Sequence, residues 1–455
     1  MKIVIIIILF FGILFGQETI VAQGVRPNIV FIMIDDLGYG DLGCYGSKDS
    51  YTPNIDLLAK EGLLLTDYHA NGATCSPTRA ALMTGRYQYR YGQRFEGPLS
   101  ATRNDSIDDG LPEEAYTIAE ALKDNGYVTG MYGKWHLGAK PPLLPANQGF
   151  DDFVGLGYGD GDHFTHIDRL GNKDWWHNDS LKMEKGYSVD LITDHSIDFI
   201  KKNREAPFFL YVSHLAIHFP WQAPNDPPQR VEGRDYRNDK WGIIPNRKNV
   251  RPHVKEMIEA IDASVGRIIQ TLKELKLEKN TLVVLTSDNG GYIEYKSGGF
   301  ENISSNGRLR GQKGTVYEGG HRVPFIAYWP GIINAGKVSN EIVMTMDMYP
   351  SFLELAKINS ADFKALDGIN VLPILLENKE ILKRSVYWKI KDNKAIRQGD
   401  YKLIMIGHKE PELYNLSIDI GEKNNLSLKK PEIVKEMKRQ YKKWEIDVTA
   451  NYKIQ

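Results

Sequence analysis

Asn28-Ile29-Val30-Phe31-Ile32-Met33-Ile34 runs straight into Asp35-Asp36-Leu37-Gly38-Tyr39-Gly40, an apolar segment rich in β-branched residues that ends on two carboxylates and a glycine-rich turn. Such a segment reads as a buried strand. Four more like it follow, over residues 127–132, 208–212, 281–286 and 325–328. Helical patterns fill the gaps between them, and that alternation favours a parallel α/β sheet. Residues 116–123 read as a helix closed by Asn125-Gly126, where glycine supplies the left-handed backbone of a helix stop. After Pro252, the residues Val254, Ile258, Ile261, Val265, Ile268, Leu272 and Leu275 recur at three- and four-residue steps, one buried stripe on a long helix. From about residue 380 the style changes. Residues 385–390 and 401–406 look like short antiparallel strands, and Pro431 opens a terminal amphipathic helix with Ile433, Met437, Tyr441 and Trp444 on its buried face. The expected architecture is α/β: a mixed, mainly parallel sheet flanked by helices over residues 24–380, then a smaller α+β subdomain over 381–455 with a short antiparallel sheet.

Residues 1–23 stand apart from that plan. Lys2 precedes an apolar run over residues 3–15, and a polar stretch with small residues near Ala22 follows, which reads as a cleaved signal peptide. The run is shorter than the ~20 apolar residues of a membrane span, and no cysteine lies where a lipid anchor would be attached. Export to the periplasm or medium is therefore expected, without stable membrane insertion. Charges nearly cancel, at a formal net of -1 over 455 residues, and no long charged block precedes the lysine-rich last helix, so nucleic acid is a poor partner. Cys44 and Cys75 are the two cysteines, too few for a disulfide framework.

In open α/β sheets ligands gather beyond the carboxyl ends of the strands, so the residues just after each apolar run matter most. Asp35-Asp36 follows the first run and Ser287-Asp288-Asn289-Gly290-Gly291 follows another. Together they offer the carboxylate and amide oxygens that a hard divalent cation such as Ca²⁺ prefers, although Asp, Asn and Gly also make ordinary turns. A third stretch is Thr74-Cys75-Ser76-Pro77-Thr78-Arg79, continuing to Thr84-Gly85-Arg86. Ser76 can cap a helix with Pro77 in its first turn, leaving Cys75 at a helix N-terminus. Free backbone N–H groups and the helix dipole favour an anion there, and Arg79 adds a fixed positive charge one turn on. The bland alternative is a cysteine that serves as a small buried hydrophobe.

Cys75-Ser76-Pro77-Thr78-Arg79 with its Thr84-Gly85-Arg86 tail resembles the signature of the formylglycine-dependent sulfatases, in the alkaline phosphatase superfamily. Gly133-Lys134-Trp135-His136-Leu137-Gly138 resembles that family's second signature. Further matches come in the family's order: Asp35-Asp36, His218-Phe219-Pro220, Asp288-Asn289-Gly290, Gly311-Gln312-Lys313-Gly314-Thr315 and Arg322-Val323-Pro324. Arg397-Gln398-Gly399-Asp400-Tyr401-Lys402-Leu403 and Glu412-Leu413-Tyr414 look like its C-terminal strands. The resemblance covers nearly all of the mature chain and makes residues 24–380 a sulfatase catalytic domain of alkaline-phosphatase-like fold.

The resemblance implies that a formylglycine-generating maturation enzyme oxidises Cys75 to 3-oxoalanine, whose hydrated form attacks sulfur and then expels sulfate by breaking its own carbon–oxygen bond. It further implies that Asp35, Asp36, Asp288, Asn289 and modified Cys75 bind Ca²⁺ and that Arg79 orients the diol. Lys134 and Lys313 would grip sulfate oxygens, His136 would remove the diol proton, and His218 would bind sulfate and protonate the departing alcohol. His214, four residues before His218, competes for that place. His321 stands where the family pattern suggests an apolar residue and faces either substrate or solvent. The long connection over residues 155–177 carries His163, Phe164, His166, Trp175, Trp176 and His177. Its aromatic faces suit sugar rings or pin the loop to the core. A sulfated carbohydrate is the expected substrate. The alternatives are small aryl sulfates, a phosphodiester or phosphonate ester, or a sulfated-glycan-binding protein without turnover if Cys75 stays a thiol.

Overall fold

The computed structural model describes residues 26–100, 110–359, 365–381 and 383–450; the expected signal peptide lies outside them. Asn28–Ile34 is a strand buried along its whole length. Side chains on a strand alternate between faces, so Ile29, Phe31 and Met33 enter one core while Val30, Ile32 and Ile34 enter another. The strand lies in the interior of a ten-stranded sheet whose order is Lys337–Ser339, Leu63–Leu65, Phe325–Tyr328, Thr281–Ser287, Asn28–Ile34, Phe208–His214, Val128–Lys134, Asp152–Leu156, Trp176–His177 and Ser180–Leu181. The five strands from Thr281–Ser287 to Asp152–Leu156 run parallel to one another. Phe325–Tyr328 is antiparallel to Thr281–Ser287, and Trp176–His177 is antiparallel to Asp152–Leu156, so the sheet is mixed and parallel at its centre.

Helices cover both faces, as parallel strands require. Cys75–Thr84, Ile118–Asp124 and Met348–Leu355 pack into one core, and Pro53–Glu61, Ser188–Lys202 and Arg251–Glu274 into the other. The stripe from Val254 to Leu272 is buried as expected; Leu275 falls just past the helix end. The helix expected over 116–123 starts two residues later, because Thr117 is its cap. The Thr117 hydroxyl accepts the Glu120 N–H at 3.1 Å while the Glu120 carboxylate accepts the Thr117 N–H at 2.6 Å, two bonds that satisfy end groups of the helix. Among the described residues, no helix is long and apolar enough to cross a membrane.

A four-stranded antiparallel sheet follows, Ser385–Ile390, Asn393–Gln398, Tyr401–Ile406 and Glu412–Asn415, with the helix Pro431–Val448 against it. Val434 takes the buried place expected of Ile433, which is half-buried; Met437, Tyr441 and Trp444 are buried. The strand Asn393–Gln398 is marked in the sequence only at its end, by the resemblance at Arg397-Gln398, because Asn-Lys-Ala-Ile-Arg-Gln is mostly polar. A buried charge network fastens this sheet to the main body. Asp67 pairs with Arg322 and Arg397, while Glu318 pairs with Arg322 and Lys402, and Glu422 also pairs with Lys402. His321 belongs to this network and faces neither substrate nor solvent. It is fully buried and stacks on Trp388 at 3.9 Å, with its Nδ1 3.0 Å from that of His69. A Trp388 ring in the antiparallel sheet leaves a flat slot that an imidazole fills.

Candidate active site

The parallel register brings the carboxyl ends of the central strands to one edge: Ile34 lies beside both His214 and Ser287, and Gly133 beside Ser213. The residues that follow converge. Ligand atoms of Asp35, Asp36, Cys75 and Asp288 all lie within 4.8 Å of one another, and all four residues are buried. Two glycines make the approach feasible. A Cβ on Gly290 would sit 1.9 Å from the Gly319 carbonyl oxygen, and Gly133, at φ 111°, would put one 1.9 Å from the Ser213 carbonyl oxygen. Asp36 and His136 themselves occupy the left-handed region, at φ 64° and 59°, a conformation that non-glycine residues hold mainly where the surroundings enforce it.

Cys75 is the first residue of the helix Cys75–Thr84, two positions earlier than the sequence suggests, and Thr74 precedes it as the extended cap residue. Ser76 therefore does not cap the helix. Its hydroxyl accepts the Leu99 N–H at 3.0 Å, and the Leu99 carbonyl lies 3.0 Å from His136 Nε2. With Nε2 donating there, a neutral His136 carries its lone pair on Nδ1, which is buried without a hydrogen-bond partner. Burial and then the nearby Lys134 charge push the His136 imidazole well below its usual range, which keeps it neutral with an open lone pair at that atom.

Cys75 Sγ marks the place where oxygens of a modified residue would stand. It lies 3.3 Å from Asp35 Oδ1 and 3.2 Å from Lys313 Nζ. Burial and the carboxylates of Asp288 and Asp35 push the thiol up, against the pull of Lys134 and Lys313. Lys134 donates to Asp35 and Lys313 to Asp36. Arg79 is fully engaged from below: Nε and Nη2 reach Asp288 Oδ2 at 3.0 and 2.8 Å, and Nη1 donates to the Lys134 carbonyl at 2.8 Å and to Ser213 Oγ at 2.6 Å. Its place is thus to fix Asp288 and the Lys134 backbone, and Ser213 and Tyr211, which sequence reading passed over, complete that seat. Asn289 Nδ2 donates to Asp36 at 2.8 Å, whereas Asn289 Oδ1 is buried without a hydrogen-bond partner.

These donors fit a hard cation. Three carboxylates and an orphaned amide oxygen form an all-oxygen set of the kind calcium takes, and burial together with repulsion from Asp288 and Asp36 drives the Asp35 carboxyl up to about 8, strain that an ion would relieve.

His218 lines the same cavity, with Nε2 4.0 Å from Asp36. Its Nδ1 is 2.7 Å from the Phe219 carbonyl, so a proton on Nε2 makes the ring cationic, and burial and Lys313 oppose that. His214 does not compete: it is buried against Ser264 at 3.1 Å. A cavity of about 220 Å³ opens over Cys75 and is lined by His136, His218, Lys313, Asp160, Arg169, Phe219, Lys240, Tyr292 and Tyr295 among others. Trp175 and Trp176 are not part of it. Trp175 is buried and stacks on His166 at 4.2 Å, and Trp176 donates to Asp174, a carboxylate that also holds the N–H groups of Gly157 and Tyr158. The connection over 155–177 is pinned by its tryptophans, and the cavity takes its aromatic rings from other segments.

Comparison with known proteins gives consistent results. A family profile described as Sulfatase matches residues 27–358, and one described as N-sulphoglucosamine sulphohydrolase, C-terminal, matches residues 311–447. The N-acetylgalactosamine-6-sulfatase of Sus scrofa is 34% identical over 395 residues, covering 83% of this chain and 71% of that protein. Arylsulfatase A of Homo sapiens is 33% identical over 456 residues, 88% and 83% of the two chains. Among solved structures, Ps i-CgsB in complex with k-i-k-neocarrahexaose superposes with a TM-score of 0.80 at 32% identity, over 94% of this chain and 95% of that one.

Proposed function

Because the chain belongs to the formylglycine-dependent sulfatases of the alkaline phosphatase superfamily and is a sulfuric ester hydrolase, we propose that it removes sulfate from a sulfated carbohydrate with a formylglycine made from Cys75 and a bound Ca²⁺. One observation carries the reading: Cys75, at the mouth of a wholly buried helix, shares a cavity with His136, His218 and Lys313 and abuts three buried carboxylates. A sulfatase relative named for N-acetylgalactosamine and a neighbour solved with a neocarrahexaose support a carbohydrate substrate. The arylsulfatase relative keeps small aryl sulfates as the second reading. Export, read from residues 1–23, belongs with this proposal.

Residue 75, once oxidised to the aldehyde and hydrated, would supply one hydroxyl for attack on sulfur, with loss of the alcohol, and a second whose deprotonation would let sulfate leave. Asp35, Asp36, Asp288, Asn289 and residue 75 would hold the calcium ion, which supplies charge neutralisation at the sulfate oxygens. The chain's own side chains do the rest. Arg79 clamps Asp288 and the Lys134 carbonyl, so that carboxylate and lysine keep their positions while charge moves. Lys313, held on Asp36, lines the cavity, and Lys134 is buried on Asp35; the two would be the cations that meet an incoming sulfate. His136 presents the bare Nδ1 that takes up a proton from residue 75. An anionic sulfate beside His218 offsets the lysines that disfavour its protonation, and the charged ring then gives its Nε2 proton to the departing alcohol.

Intact mass and a tryptic peptide map of the matured protein test the nucleophile; an aldehyde or its hydrate is expected at residue 75. A thiol or disulfide there in active protein overturns the proposal. Parallel kinetics on sulfate and phosphate esters, and a panel of defined sulfated oligosaccharides, then fix the ester and the sugar.

A further inference from the structure

The inner end of the cavity is accounted for by the sulfate; its outer wall is not. Of the residues that line the cavity, Arg169, Lys240 and Lys313 are the permanent cations and Asp160 is the acid. Lys313 belongs to the inner end, where it meets Asp36. Asp160 spends its two oxygens on two guanidiniums, Oδ1 on Arg169 Nε at 2.7 Å and Oδ2 on the buried Arg230 Nη2 at 3.0 Å. Those guanidiniums hold its carboxyl well below the usual range, so it is an anion already shared. Lys240 is left over. Its Nζ stands 5.5 Å from the Phe219 ring, 5.5 Å from Tyr295 and 5.8 Å from Trp241, and among the described residues it has no acidic partner. The Arg169 guanidinium lies 5.5 Å from the same Phe219 ring.

Two cations, Arg169 and Lys240, thus face one carboxylate on this wall, and that carboxylate is already taken by Arg169 and the buried Arg230. Arg169 and Lys240 stand over the ring of the residue next to His218, and both are half-buried and reachable from the cavity. Aromatic faces steady an ammonium but leave its hydrogen-bond donors free, and a cation partly removed from water gains most from a charged acceptor.

We infer that this outer wall, Lys240 and Arg169 about the Phe219 ring, binds a second anionic substituent of the substrate, so that the chain prefers a glycan carrying another sulfate ester or a carboxylate beside the sulfate it cleaves. The inference rests on the sulfatase reading and narrows it to polyanionic glycans. Among the described residues neither Lys240 nor Arg169 has a hydrogen bond to Cys75, His136, His218 or Lys313, so the wall contributes mainly uniform binding that appears in KM more than in kcat.

The test uses the matured full chain and three probes on the oligosaccharide backbone from which the panel shows sulfate release: one sulfate, two sulfates, and one sulfate with a uronate carboxylate. Wild-type protein should favour at least one doubly anionic probe by about tenfold or more in kcat/KM, as a charge-assisted contact implies; which one tells sulfate from carboxylate. The preference should sit in KM, shrink as salt is raised, and fall toward unity in Lys240→Met. Arg169→Gln should act likewise, and because that change also frees Asp160, Lys240→Met is the deciding variant. Equal kcat/KM on all three probes, or a preference that survives in Lys240→Met, overturns the inference. Sulfate release from no sulfated oligosaccharide of that panel would instead sink the carbohydrate reading. Calorimetric titration of Cys75→Ala with the singly and doubly sulfated probes then decides the subsite without turnover.

Discussion

Ser76, Leu99 and His136 form a short relay in which a hydroxyl fixes a loop N–H and the same residue's carbonyl fixes an imidazole. Losing the imidazole should lower kcat by about 10² to 10⁴, the usual range for a general base. Ser76→Ala keeps the base but loosens its seat, so a smaller fall is expected, about tenfold in kcat with KM unchanged; an unaltered kcat would separate the loop from the chemistry. Calcium is tested at the same scale. With Asp35, Asp36 and Asp288 packed together, a chelator should reduce both turnover and Tm, and added Ca²⁺ should restore them. Neither changing would remove the ion from the account. Cys75, Arg79, Lys134, His136, His218, Lys313, Asp35, Asp36, Asp288 and Asn289 could be singled out as candidates because each sits in a short motif, and the fold gathers them at one end of the sheet. Ser76 was misread as a cap because its partner lies 23 positions away. Lys240 and Arg169 carried no local signal at all; folding alone sets them round one ring.

Thr117 and Glu120 show what an element can announce by itself. Their reciprocal bonds are written in four consecutive residues, and Thr117→Ala should cost about 1 kcal/mol, read as a lower Tm with kcat/KM preserved. The long stripe from Val254 to Leu272 was equally plain, since periodicity is a property of the helix alone. Sheet order was not. Nothing local in Phe325–Tyr328 says that it runs antiparallel to Thr281–Ser287 and also pairs with Leu63–Leu65; that follows from which surfaces remain open once the parallel centre forms. Polar Asn393–Gln398 was mostly hidden for a related reason, because it becomes a strand only between two partners.

Across the whole molecule, burial makes several histidines inert bases. Desolvation holds His163 and His166 down to about 4 and His214 to about 3, against 6.5 for a free imidazole. Between about pH 6.5 and 4 the unfolded chain takes up protons that the folded chain refuses, so stability is full above that window and drains as pH falls through it. Shifts of this size represent on the order of 3 kcal/mol each for His163 and His166 and more for His214, and urea titrations at pH 7.5 and 5 should show a clear loss at the lower pH. A flat profile would place these rings in contact with water. The network round His321 has a different consequence. Lys402 neutralises Glu318 from the main body and Glu422 from the C-terminal segment, so Lys402→Met should destabilise by about 3–5 kcal/mol. The seam between sheet and body is therefore a poor place for scissors: a fragment cut near residue 380 would carry Asp67 and Glu318 into solution bereft of Arg397 and Lys402, and a tail grafted from a relative would need to bring matching cations with it.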